Sequence, residues 1–136
     1  MKKTIFSILT VLALCFTLNA QDARQRTVET IVQDVLAALP AENLTDCYVQ
    51  MADLAKAAPA SVEMLGSMLQ PAEAGANNIV EYAIVGVVRY ATDPANAAVK
   101  DNVKKGIEAA AAACKDKYNK QFLESQLRLM QPYEDT

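Results

Sequence analysis

Apolar residues recur at intervals of three and four along most of this chain, the spacing that lines one face of a helix. Val28, Ile31, Val32, Val35, Leu36 and Leu39 form the first such stripe, and Pro40 ends it. A second helix is predicted from Leu44 to Ala57, with Asn43 as N-cap and a buried stripe of Leu44, Cys47, Tyr48, Met51, Leu54 and Ala55. A short third helix opens at Pro59 and carries Val62, Met64, Leu65, Met68 and Leu69. After a loop over Pro71 to Ala76, Asn78 and Glu81 have the spacing of a capping box for a fourth helix. That helix is apolar on most sides, so it is placed at the centre of the domain, with Gly86 at a close helix crossing. Asp93 and Pro94 give the N-cap and first-turn signal for a fifth helix reaching about Lys115. Its inner stripe is Val99, Val103, Ile107, Ala110 and Cys114, and its alanine run, Ala109 to Ala113, reads as plain helix propensity. A sixth helix, Tyr118 to Met130, gathers Phe122, Leu123, Leu127 and Met130 on one side.

These stripes repeat. A shift of 35 residues carries Asn43, Leu44, Asp46, Val49, Pro59 and Ala60 onto Asn78, Ile79, Glu81, Ile84, Pro94 and Ala95, and Met64 and Met68 onto Val99 and Val103. A period of this size marks arrays whose units bury their apolar faces against their neighbours. The expected fold is all-α, about six helices in antiparallel pairs. The corner at Pro132 opens a unit that is not continued, which leaves an apolar C-terminal edge suited to self-association.

The first twenty residues read differently. Lys2 and Lys3 precede a largely apolar run from Ile5 to Leu18, and Ala20 offers a small residue at a cut before Gln21. This is the pattern of a secretory signal peptide, so residues 21–136 form the expected domain and the periplasm its expected location. The run is shorter than the roughly 20 residues of a spanning helix, and no membrane span is expected after cleavage. Cys15 follows Leu14 where a lipoprotein signal favours a small residue, so lipidation is the lesser alternative. Cleavage removes two lysines and no acids, leaving 11 basic residues against 16 acidic ones, a net charge of −5. An acidic surface repels phosphate backbones, and nucleic acid is not an expected partner.

The chain has no histidine and no tryptophan. No Gly-rich phosphate loop, serine elbow or paired metal-ligand motif occurs, and Glu81 and Asp93 are explained as helix-start residues. No catalytic residue, metal site or cofactor is assigned. Cys47 and Cys114 leave two readings open, a single disulfide in an oxidising compartment or two apolar thiols.

The segment VEYAIVGVVRYA from Val80 to Ala91, its proline corner, and the later QFLESQLRLM resemble helical segments of HEAT-repeat proteins of the bacterial envelope. The resemblance spans roughly Asn43 to Met130. It implies a short right-handed α-solenoid that binds other proteins or supports an assembly. The function expected is therefore a non-enzymatic interaction or scaffold module, with Lys100, Lys104, Lys105 and Glu108 on the fifth helix as the face to inspect for a partner. Two alternatives stay open: a helical bundle holding an apolar small molecule near Tyr82, Met51 and Ile107, and a fragment of a larger repeat protein.

Overall fold

The structure is a computed structural model that describes residues 27–71, 74 and 76–131. The signal-peptide reading, Cys15 and the corner after Pro132 lie outside the described residues. Within them the chain forms six α-helices and no strand. These are α1 (Val28–Ala38), α2 (Leu44–Lys56), α3 (Ala60–Ser67), α4 (Asn78–Thr92), α5 (Ala97–Ala113) and α6 (Lys117–Met130), with a 3-10 turn, Pro94–Asn96, ahead of α5.

Side-chain caps set several of the boundaries. Asn43 Oδ1 accepts the Asp46 N–H at 2.8 Å, so α2 starts where its N-cap predicts. Asp116, which the periodicity did not mark, caps α6 in the same way by accepting the Asn119 N–H at 3.0 Å. Asp93 accepts from Ala95 at 3.0 Å, but the turn it opens is 3-10, and the α-helix proper begins at Ala97.

The capping box at Asn78 does not form. Asn78 is already helical, the cap position falls to Asn77, and the Asn77 side chain is used elsewhere. Its Oδ1 accepts the Gln70 N–H and its Nδ2 donates to the Gln70 carbonyl, both at 2.8 Å. Asn119 of α6 donates to that same carbonyl at 2.8 Å, and Asn77 Nδ2 reaches Asn119 Oδ1 at 3.4 Å. A three-residue clasp thus closes the base of the α3–α4 loop and ties it to α6. Asn77 and Asn119 are both buried, and this pairing offsets the cost of withdrawing their amides from water.

Beyond its sequence neighbours, each helix packs chiefly on the helix two places along the chain. α1, α3 and α5 lie successively against one another, and so do α2, α4 and α6. The core between these two rows is Val32 and Val35 of α1, Leu54 of α2, Val62 and Leu65 of α3, Ile84 and Val87 of α4, Val103 and Ile107 of α5, and Leu123 and Met130 of α6. α4 contributes the most to it, as expected for the central helix.

The closest approach is between α3 and α5. A Cβ on Gly66 would stand 2.5 Å from the Ala110 Cβ, and one on Gly106 would stand 2.6 Å from the Val62 Cβ and 2.9 Å from the Pro59 carbonyl oxygen. The pairs Val62–Gly106 and Gly66–Ala110 have the same sequence separation, so the two helices run parallel at this contact. The alanine run therefore does more than favour helix. Ala110 and Ala111 are buried, and at Ala110 the small side chain is what admits α3. Gly86 sits beneath the Met51 side chain of α2, where a Cβ would lie 2.5 Å from the sulfur.

Candidate functional site

The predicted stripe of α2 is buried only in its second half. Met51, Leu54 and Ala55 are in the core, whereas Leu44 is 88% exposed and Tyr48 52% exposed. The periodicity located the apolar face correctly, but among the described residues no neighbouring helix covers its first turn and a half. That uncovered surface faces α4 across an open groove of about 780 Å³. α2 supplies Leu44, Cys47, Tyr48 and Met51; α4 supplies Tyr82, Val85, Gly86 and Tyr90; Phe122 of α6 closes one side. Few polar groups reach it, chiefly Asn78, Glu81, Arg89, Asp93 and Asn96.

The wall is fixed by aromatic and polar contacts. Tyr48 and Tyr90 meet with ring centroids 5.0 Å apart and planes tilted by 59°, a favourable geometry for two aromatic quadrupoles. The Tyr48 hydroxyl donates to Asn96 Oδ1 at 3.3 Å, and Asn96 Nδ2 donates to the Tyr90 carbonyl at 3.0 Å. Asn96 thereby ties the start of α2 to the end of α4. The Cys47 thiol beside Tyr82 raises that phenol above its ordinary value, by charge and by hydrogen bonding; burial adds to the shift and Arg89 opposes it. Burial likewise raises Tyr90, and its neighbour Tyr48 adds to this.

Every large apolar side chain that is exposed among the described residues stands on α2, α4 or α6. They are Leu44, Tyr48 and Val49 of α2, Ile79 and Tyr82 of α4, and Tyr118 and Leu129 of α6. None stands on α1, α3 or α5. The four residues singled out as a partner face lie on α5: Lys105 and Glu108 are exposed, Lys100 and Lys104 are half-buried, and none of them lines the groove.

Cys47 and Cys114 are not bonded to each other in the structure. Their surroundings differ: Cys47 lines the groove beside Tyr82, while the Cys114 thiol, at the end of α5, donates to the Asp116 carbonyl at 3.5 Å. Of the two carboxylates weighed at the sequence level, Asp93 is the cap of the 3-10 turn, and Glu81 lies half-buried in the first turn of α4. Among the described residues no group of three His, Cys, Asp or Glu side chains is placed to hold a metal ion. No described helix is long and apolar enough to cross a membrane. No protein family, curated protein or solved structure matches the chain.

Proposed function

We propose that the chain is an exported, non-enzymatic interaction module of HEAT-like helical repeats, and that its partner, a protein, seats on the face built by α2, α4 and α6. One observation carries the reading: among the described residues the exposed large apolar side chains are confined to these three helices. A soluble surface scatters such residues, and their concentration on one side of a molecule is the mark of a docking face. Tyrosine-rich walls fit the same use, since tyrosine brings contact area at little entropic cost and carries a hydroxyl for orientation. The repeat reading draws support from the parallel contact of α3 with α5 and from the alternate stacking of helices two apart. The docking face is thus moved from the lysines of α5 to the groove.

A photoreactive amino acid placed at Tyr48 or Tyr82, and separately at Lys105 as control, tests this in the native cell. A discrete protein adduct from the groove positions and none from Lys105 is expected. Adducts from Lys105 alone, or from no position, would overturn the assignment.

The groove volume favours one further reading. About 780 Å³ lies within the roughly 300–1,000 Å³ of small-molecule sites, and Tyr82 and Met51 line it as the apolar-ligand alternative requires. Ile107, the third residue of that alternative, is instead sealed in the core. Native mass spectrometry of the gently isolated protein separates the two readings by the mass of what is bound.

A further inference from the structure

We infer that the occupant of the groove is a second copy of this chain, and that the element seated in it is α6. The inference rests on the docking reading above and names the partner. It follows from comparing two surfaces of the same molecule.

The first surface is the groove, apolar and aromatic along its length. The carboxylates at its edge, Glu81 and Asp93, outnumber its one cation, Arg89. The second is the outward side of α6, where Tyr118 is 56% and Leu129 63% exposed. With half-buried Phe122 between them these residues make a stripe at helical spacing. On its solvent side the stripe is bordered by exposed Lys117 and Arg128, with exposed Glu124 further round and Lys120 on the opposite side of the helix. An amphipathic helix with a basic border therefore stands on the same molecule as an apolar groove with an acidic border, and each has what the other lacks.

Their lengths agree. From Tyr118 to Leu129 the stripe runs about 17 Å, and the α4 wall from Asn78 to Tyr90 runs about 18 Å, at 1.5 Å per residue. Their positions agree as well. Phe122 belongs to the groove lining and to the stripe, so α6 lies at the rim of its own groove. A two-fold axis beside that rim carries each α6 over the other copy's groove, which closes an isologous dimer with two equivalent contacts.

Analytical ultracentrifugation of the purified full chain over a wide concentration range tests this. A reversible dimer that weakens with added salt is expected. Leu129→Asp on α6 and Leu44→Asp in the groove, both at exposed positions, are each expected to raise the dimer dissociation constant by about tenfold or more. Unchanged circular dichroism would show that both variants still fold. Mixing the two variants is expected to recover dimer, because the mixed pair keeps one undamaged contact. A dimer indifferent to both substitutions overturns the inference. So does a monomer at every concentration, and a lysine-flanked amphipathic helical peptide of unrelated sequence then separates the causes. Binding of that peptide to the monomer leaves the docking reading standing while the self-association falls; failure to bind removes both.

Discussion

At the scale of single residues, Asn119 has the clearest consequences. It is 1% exposed, yet its side chain is fully engaged with Gln70 and Asn77. Asn119→Leu would leave the Gln70 carbonyl one bond poorer and Asn77 without its inner neighbour. It is expected to cost about 1–3 kcal/mol in urea unfolding, the usual penalty for stranding buried polar partners. Asn77→Ala should cost a similar amount, and the double variant less than the sum of the two, since both break one network. Tyr82 offers a second test. Its pKa is raised in the folded chain, so the stabilisation it gives is fully present below the unfolded value of about 10 and is lost as pH rises through the folded value. Cys47→Ala removes the main cause. NMR titration of the Tyr82 ring should then show its pKa fall toward 10, with a shallower loss of stability in alkali.

Sequence reasoning at this scale succeeded with Asn43 and failed with Asn78 for a physical reason. Two adjacent asparagines can each cap a helix, and the loop closing on Gln70 together with the distant Asn119 decides which of them is buried and what it binds. Local pattern holds no information about residues that lie more than forty positions away in the chain.

At the scale of elements, the contact of α3 with α5 and that of α2 with α4 use glycine differently. Gly66 and Gly106 face a Cβ or a backbone carbonyl, groups that move only if a helix moves. Gly66→Ala and Gly106→Ala are therefore each expected to destabilise by about 1–3 kcal/mol, overriding the roughly 1 kcal/mol that alanine gains in helix propensity. Gly86 faces the flexible end of Met51, which has room to swing into the groove. Gly86→Ala should be close to neutral, and thermal unfolding of all three variants checks the contrast. Helix positions were legible from apolar spacing because it needs only local sequence. The spacing predicts α2 over Leu44 to Ala57, and it runs Leu44–Lys56; it predicts α6 from Tyr118, and the helix starts at Lys117. What covers each face is not legible, which is why the stripe includes Leu44 and Tyr48 although both are exposed. A stripe shows where apolar residues point and is silent on whether another helix arrives there.

At the scale of the whole molecule, two rows of helices share one core, and the row carrying α2, α4 and α6 keeps the apolar surface the fold does not use. The helices related by the 35-residue shift, α2 and α4, pack against each other, with Gly86 beneath Met51. The groove between them could not be read from the pattern, because it arises from an absence of cover. The clasp at Gln70, Asn77 and Asn119 has one more consequence. It joins Gln70, just past α3, to Asn77 and Asn119 by bonds that do not run along the chain, so the union of α3 with α4 and α6 does not depend on the peptide link between Gln70 and Asn77. A protease site inserted there should change the melting temperature by no more than a few degrees, given that doubling a loop costs only about 0.6 kcal/mol. After cutting, the two fragments should still elute together in gel filtration with their helical signal intact. The molecule would then behave as a heterodimer of its own halves, joined by a shared interior and by the bonds of two asparagine side chains to the Gln70 backbone in place of a covalent link.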